Sequence, residues 1–165
     1  MKKYILIIVA IVACVACYFM YTNMKLRHGY IITGKLYESY KGSKELQTKV
    51  VAKQNKYKLI LDSLRMEINL NENPSNAQNI LKSEALKSQY NILATDFKKY
   101  NEEYVVSEQS KIWSQLNQYI ATYGKDKHYS FIYGADGSGN IMYADSSFNI
   151  TEDVIEFANL KYDGK

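Results

Sequence analysis

Two long runs without glycine or proline dominate this 165-residue sequence and restrict what it can fold into. The first run extends from Ser43 to Asn71 and the second from Ser75 to about Tyr123, with the only proline, Pro74, between them. Glycine and proline are the residues that most often interrupt helices, so both runs are predicted to be helical. At about 1.5 Å per residue the two helices would be ~43 and ~73 Å long. The short turn between them predicts an antiparallel helical hairpin.

Apolar residues in both runs recur at steps of three and four residues, which is the spacing of one helix face. In the first run they are Leu46, Val50, Tyr57, Ile60 and Leu64. In the second run they form a heptad seam at Leu86, Tyr90, Leu93, Phe97, Tyr100 and Tyr104. The seam breaks after Tyr104, because the next positions in register are Ser107 and Lys111. A wider apolar stripe then predicts that the helix packs into a body, with a C-terminal cap at Gly124.

Short β-prone segments lie on either side of the hairpin. The predicted strands are His28–Thr33, Ser130–Tyr133 and Ile141–Ala144. A brief helix, Lys35–Tyr40, is predicted after the first strand, and a glycine-containing turn between the second and third. Asn149, with Glu152 three residues later, predicts the start of a last helix. These elements predict an α+β fold, in which a long helical arm extends from a small β-body.

The predicted body has too few strands to bury its own edges. Phe131, Tyr133, Ile141 and Tyr143 have too little partner surface within one chain, and short sheets with open edges are unstable alone. Self-association would close the sheet and share a core. The sequence therefore predicts an oligomer formed through the body.

An uncharged apolar run of 18 residues, from Tyr4 to Tyr21, lies near the N-terminus. This length is just enough to span a bilayer core of ~30 Å, and it is also near the length of a secretion signal. No clear cleavage site follows it, which favours a retained membrane anchor within residues 1–24. A cleaved signal remains an alternative, as does a lipoprotein modified at Cys14.

The sequence shows no pattern that indicates an enzyme, a metal site or a cofactor. Asp136, Ser138 and Asn140 resemble the start of a calcium loop, but the sixth position is Ile141 and the twelfth is Ser147 instead of glycine and glutamate. The two cysteines, Cys14 and Cys17, and the two histidines, His28 and His128, show no metal-ligand spacing beyond a Cys-x-x-Cys inside the apolar run. Residues 101–165 hold 5 Lys/Arg against 10 Asp/Glu, which argues against nucleic acid as a partner.

The order of elements resembles the Skp/OmpH family of periplasmic chaperones over roughly residues 28–162. The segments that carry the resemblance are GYIITGKLY from Gly29, YSFIYGAD from Tyr129, MYAD from Met142 and NITEDV from Asn149. The resemblance implies a homotrimer that shares a β-barrel body, with residues 28–42 and 112–162 in the body and 43–111 in the arm of a domain spanning 25–165. It also implies that unfolded outer-membrane proteins are held between the arms without ATP.

Two sets of residues are candidates for these roles. The body residues expected to join the trimer are Tyr30, Ile32, Phe131, Tyr133, Ile141 and Tyr143. The apolar arm residues left over by the seam, and expected to bind clients, are Val51, Leu59, Leu61, Met66, Leu81 and Ile92. Residues 44–99 also hold 10 Lys/Arg against 6 Asp/Glu, so the arms would attract acidic clients.

The resemblance thus implies a non-enzymatic holdase for envelope proteins in the periplasm, and the apolar run adds an anchor in the inner membrane. A membrane-anchored coiled-coil spacer that binds no client is the alternative from a different class. An enzyme with an unrecognised site is a third interpretation. A spacer would pair all its apolar residues, whereas a holdase would leave some of them exposed on the arms.

Overall fold

The computed structural model describes residues 11–18, 26–71 and 77–164. The described elements are strand β1 (His28–Ile32), helices α1 (Thr33–Ser39), α2 (Lys41–Asn71) and α3 (Ala77–Lys99), a π-helical segment (Tyr100–Val105), helix α4 (Val106–Asp126), strand β2 (Phe131–Ala135), a 3₁₀ turn (Ser146–Phe148) and helix α5 (Thr151–Tyr162). Residues 11–18 are helical as well. The fold is mostly helical with a small two-stranded sheet, which confirms the predicted α+β class.

Helices α2 and α3 pack side by side in opposite directions. Near the base of this arm Gln54 Nε2 donates a hydrogen bond of 2.7 Å to Asn101 Oδ1. Towards the other end Lys82 Nζ lies 3.3 Å from Glu67 Oε1. The residue numbers rise on one helix as they fall on the other, so the arm is an antiparallel hairpin.

Helix α3, the π segment and α4 follow one another without a break and form a helix about 75 Å long at ~1.5 Å per residue. The prediction that Gly124 caps this helix is wrong, because α4 continues to Asp126 and Gly124 is buried inside it. A Cβ added at Gly124 would lie 3.2 Å from Ile132 Cδ1, so the glycine allows β2 to pack closely. The left-handed residue just after the helix is His128, with φ 57°.

The two strands pair in parallel, in a register that runs from His28 opposite Phe131 to Ile32 opposite Ala135. The predicted hairpin of Ser130–Tyr133 with Ile141–Ala144 is therefore wrong, since residues 141–144 are not a strand. The turn chemistry was read correctly, because Gly137 and Gly139 have φ of +80° and +99°. Their loop leads away from β2, and β1 takes the pairing position instead.

The body core lies between the sheet, α1, α4 and α5. Its buried apolar residues are Ile31, Leu36, Tyr40, Leu116, Tyr123, Ile150, Val154, Ile155 and Ala158. The backbone N–H of Ile32 donates to Thr151 Oγ1 at 2.9 Å, which ties the end of β1 to the start of α5. The segments before the arm (β1 and α1) and after it (α4 and α5) therefore pack into one small body.

The start of α5 differs in detail from the predicted capping box. Asn149 Oδ1 accepts a 3.0 Å hydrogen bond from the backbone N–H of Thr151, as a capping side chain would. Glu152, however, forms an ion pair with Lys35. The glutamate therefore links α5 to α1 across the body.

Most of the predicted membrane segment, Tyr4 to Tyr21, lies outside the described residues. Its described part, residues 11–18, is an exposed helix that includes both cysteines. Within the described ranges, no helix is both long enough and apolar enough to cross a membrane.

Candidate functional site

The seam between α2 and α3 uses a single face of each helix. On α3 and the first residue of the π segment the predicted heptad is confirmed as far as Tyr100: Leu86 and Tyr100 are buried, and Tyr90, Leu93 and Phe97 are half-buried. On α2 the contact face includes Val50, Tyr57, Leu61 and Leu64, which are buried or half-buried. Each helix therefore buries one apolar face against the other, and this contact holds the arm together.

The sequence placed Ile60 in this seam and Leu61 outside it, and the structure reverses the two. Ile60 is 40% exposed, whereas Leu61 is half-buried on the side that faces α3. Both residues lie within one helical turn of Tyr57, so spacing alone could not separate them. Leu61 is therefore less accessible than the other arm residues expected to bind clients.

A stack of aromatic rings closes the seam at the base of the arm. The ring centroids of Tyr57 and Phe97 are 5.2 Å apart, those of Tyr57 and Tyr100 5.8 Å, and those of Tyr100 and Tyr104 5.1 Å. Lys53 Nζ lies 4.4 Å from the centroid of Tyr100, a cation–π contact. Burial raises the pKa of Tyr100, with smaller contributions from Tyr104 and Tyr57.

The π segment explains why the seam breaks where it does. A π turn holds one residue more than an α turn, so it shifts the face that follows by one position. Tyr104, the last residue predicted in the seam, is 50% exposed, whereas Val105 is half-buried in its place. Downstream, Ile112 and Leu116 continue the inward face into the body. The sequence showed the break at Ser107 and Lys111 but not its cause.

Apolar side chains outside the seam are left in solvent. Five of the six arm residues predicted to bind clients are between 40 and 71% exposed: Val51, Leu59, Met66, Leu81 and Ile92. Sequence reasoning missed two further exposed residues, Leu70 and Ile80, near the far end of the arm. Both residues could have been predicted as exposed from the sequence, because neither lies at a seam position of its helix. The described arm therefore carries a wide, discontinuous apolar surface.

A second exposed apolar surface lies on the body. Phe131, Tyr133 and Tyr143 are exposed, Ile32 is at the border of exposure, and Tyr30 and Ile141 are half-buried. The rings of His28 and Phe131 stack at 5.5 Å, and those of Phe131 and Tyr133 at 6.0 Å. The six residues predicted for the trimer body thus lie on β1, on β2 and in the loop that follows β2.

This surface borders an open groove of about 670 Å³. Its lining includes Tyr30, Tyr133, Met142, Tyr143 and Phe148. Met142 and Phe148 were not singled out from the sequence, although both lie in the segment between β2 and α5. Met142 is 90% exposed and adds to the apolar lining of this groove.

The loop that resembles a calcium site holds its own polar groups together. Asp136 Oδ1 accepts hydrogen bonds from the backbone N–H of Ser138 at 2.9 Å and from its hydroxyl at 2.6 Å. These bonds hold the pKa of Asp136 below its usual range. Across the described ranges, no group of three or more His, Cys, Asp or Glu residues could hold a metal ion.

The fold and these surfaces define a class of protein: a small α+β body that carries one helical-hairpin arm, with apolar side chains exposed on both. The family model for the outer membrane protein (OmpH-like) family matches residues 27–157. The chain therefore belongs to the OmpH family, which confirms the resemblance seen in its sequence.

A solved structure has a similar fold. The chain is similar to an OmpH-like protein from Caulobacter crescentus CB15, described as an outer membrane chaperone, with a TM-score of 0.51 and 16% sequence identity. The similarity covers 82% of this chain and 85% of that one. No curated protein sequence matches the chain.

Proposed function

We propose that this protein is a non-enzymatic, ATP-independent holdase that binds unfolded outer-membrane or other envelope proteins between its arms. The observation that carries the proposal is the exposure of large apolar side chains on an arm whose seam is already complete. An isolated spacer has no use for Leu59, Met66, Leu81 and Ile92 in solvent, whereas a holdase needs such surface. The OmpH family and the chaperone description of the Caulobacter protein support the same role.

The arm is also charged in a way that suits acidic clients. Residues 44–99 carry 10 Lys/Arg against 6 Asp/Glu. In a trimer, three such arms would surround the cavity with a net positive charge, which attracts acidic segments at low salt. Client binding should therefore weaken as salt rises but persist, because apolar contacts are not screened.

The proposed assembly is a homotrimer through the body, residues 28–42 and 112–162, with arms formed by residues 43–111. The exposed rings of Phe131, Tyr133 and Tyr143, together with the open edges of a two-stranded sheet, support self-association there. Tyr133→Asp would bury a charge at this contact and should dissociate the trimer in sedimentation analysis. Thr122→Asp, at an exposed position of α4, is the matched control. A monomeric unmodified protein would refute the trimer.

We also propose that residues 1–24 anchor the protein to the inner membrane, facing the periplasm. The uncharged run from Tyr4 to Tyr21 supports this, and no cofactor or nucleic acid enters the proposal. Mass spectrometry of the membrane fraction should find an N-terminus at Met1 or Lys2. A soluble protein that begins near Asn23 would indicate a cleaved signal, and a lipid on Cys14 would indicate a lipoprotein.

The holdase is tested by dilution of a urea-denatured outer-membrane barrel into buffer with the full-length chain, followed by light scattering. The unmodified protein should suppress aggregation, and Leu59→Ser, Met66→Ser and Leu81→Ser combined should weaken the suppression. The matched control replaces exposed polar residues of the same helices, Asn55, Asn69 and Asn91, with serine. If the trimeric protein fails to suppress aggregation at any salt concentration, the spacer becomes the better interpretation.

A further inference from the structure

The chain enters the body at the end that lies opposite to the arm. Helix α4 runs from the arm into the body and ends at Asp126, about 30 Å along the helix from its start. The segment that follows α4 contacts the start of the body: Arg27 Nη1 donates a 2.9 Å hydrogen bond to the carbonyl oxygen of Lys127, and the backbone N–H of Ser130 donates a 2.8 Å bond to that of Arg27. Leu26 therefore lies beside the far end of α4.

Two apolar side chains are exposed at this end of the body. Leu26 is 66% exposed and Phe148 is 49% exposed, and both line a groove of about 380 Å³. This groove adjoins the larger one described above, because His28 and Phe148 line both. Neither Leu26 nor Phe148 is among the residues proposed for the trimer contact. We name as the entry surface Leu26, Arg27, Lys125, Lys127 and Phe148.

The three basic side chains of the entry surface form no ion pair within the described residues. Three acids accompany them, so this end of the body has no net charge. Asp145 accepts a 2.8 Å hydrogen bond from the backbone N–H of Ser147, and Asp153 accepts a 3.4 Å bond from the hydroxyl of Tyr123, whereas Asp126 is exposed. The bases can therefore bind phosphate groups locally, but apolar contact must supply the main attraction to a partner.

The length of the connection to the proposed anchor identifies that partner. Only residues 22–25 separate the apolar run, which ends at Tyr21, from Leu26. At ~3.6 Å per residue, Leu26 can lie at most ~18 Å from Tyr21. A headgroup layer is about 5–8 Å thick, so Leu26 stays within roughly 13 Å of the membrane surface. Such a short tether gives the lipid a high effective concentration at this end of the body, and a weak contact is then sufficient.

We infer that the entry surface docks onto the lipid bilayer, with Leu26 and Phe148 inserted among the headgroups and Lys125 and Lys127 against the lipid phosphates. Leucine and phenylalanine beside lysine and arginine are the residues with which interfacial elements bind membranes. The inference rests on the proposed membrane anchor and goes beyond it by naming the face of the body that meets the lipid. Because α4 ends at this face, docking directs the arm away from the membrane.

Tryptophan fluorescence tests the contact in the full-length chain, reconstituted into vesicles of phosphatidylcholine and phosphatidylglycerol. Trp113, the single tryptophan, is first replaced by phenylalanine, and Phe148→Trp then places the only tryptophan in the entry surface. Bromine on the acyl chains quenches tryptophan on contact, so this variant should lose fluorescence in brominated vesicles relative to unbrominated ones. Tyr104→Trp is the matched control, because Tyr104 is 50% exposed and lies about 33 Å along the helix from Asp126. Its fluorescence should be the same in both vesicles.

Further substitutions in the Phe148→Trp protein test the other residues of the surface. Leu26→Ser should reduce the quenching, whereas Leu81→Ser, at an arm position exposed to nearly the same extent, should not: the two leucines are 66% and 67% exposed. Lys125→Gln combined with Lys127→Gln should also reduce the quenching, and more at low salt than at high salt. Far-UV circular dichroism checks that each variant is folded.

The outcomes separate this inference from the proposed function. A protein that retains residues 1–24 and suppresses aggregation, but shows no quenching at position 148, would overturn docking and leave the anchor and the holdase intact. Equal quenching at positions 148 and 104 would overturn it as well, because the arm would then lie on the membrane. Quenching that survives Leu26→Ser, or that ignores the two lysines, would overturn the contact assigned to those residues. Cleavage near Asn23 would overturn the anchor and the docking together, and the aggregation assay would still decide the holdase.

Discussion

Because the π segment contains one residue more than an α-helix needs, we expect that one residue can be deleted there without loss of packing in the arm seam or the body. Tyr100 is the last buried position of the arm seam, and the next inward position is Val105, five residues on. Deletion of the exposed Glu103 shortens this step to four, which is the step an α-helix needs. The variant should form an unbroken α-helix in which Ile112 and Leu116 still face the body.

The expected change in the free energy of unfolding is best judged against a deletion at a site that has no π turn. Deletion of the exposed Lys56 from α2 has no π turn to absorb it, and it rotates the rest of that helix by about 100°. Tyr57, Leu61 and Leu64 would leave the seam. Each is half-buried, and at about 1 kcal/mol each the loss is ~3 kcal/mol, before the Tyr57 ring contacts are counted. Deletion of Glu103 should change the free energy of unfolding by less than about 1 kcal/mol, because no apolar contact is lost.

Urea unfolding followed by far-UV circular dichroism compares the two deletions directly. Both remove one exposed charged residue from an arm helix, so Lys56 serves as the matched control for Glu103. The argument is refuted if both deletions lower stability equally, since the π segment would then not be a register adjustment. It is also refuted if deletion of Glu103 lowers the helical signal by more than the single residue removed.

Three further predictions concern the core and the seam. Leu116→Ala should lower the free energy of unfolding by about 2–5 kcal/mol, because Leu116 is fully buried in the body; a loss below ~1 kcal/mol in urea unfolding would contradict this. Ser83→Ala should leave stability unchanged or raise it by up to about 1 kcal/mol, because Ser83 Oγ is buried without a hydrogen-bond partner among the described residues; a clear loss would reveal a missing partner. Burial raises the pKa of Tyr40, so the folded state holds its phenolic proton more tightly, and stability should fall as pH rises above about 10. Tyr40→Phe should flatten that fall in alkaline unfolding experiments, whereas Phe at the exposed Tyr143 should not.

The helices were predictable because their signals are local. Absence of glycine and proline gave both arm helices to within a few residues, and the heptad gave the seam on α3. The π segment was not predictable in the same way, because it adjusts two distant contacts, the α2 seam and the body, to one another. Only the break after Tyr104 marked it.

The sheet shows the opposite case, in which a correct local signal led to a wrong pairing. Gly137 and Gly139 do form a tight loop, yet β2 pairs with β1, which lies about 100 residues earlier. The arm is an antiparallel hairpin, so it brings the chain back to the body and β2 lies beside β1. Turn residues indicate where the chain changes direction. They do not indicate which distant segment pairs with the strand.

The π segment also determines where the exposed surface of the arm points. Leu81 and Ile92 lie on the far side of α3 only because the seam fixes the rotation of that helix against α2. The body fixes the rotation of α4 independently, through Leu116 and Tyr123. In a regular α-helix the extra residue between these two contacts would rotate one contact against the other by about 100°, and the π turn absorbs that rotation. The π turn therefore allows the seam and the body to be packed at the same time, and it fixes the direction in which Leu81 and Ile92 point relative to the body.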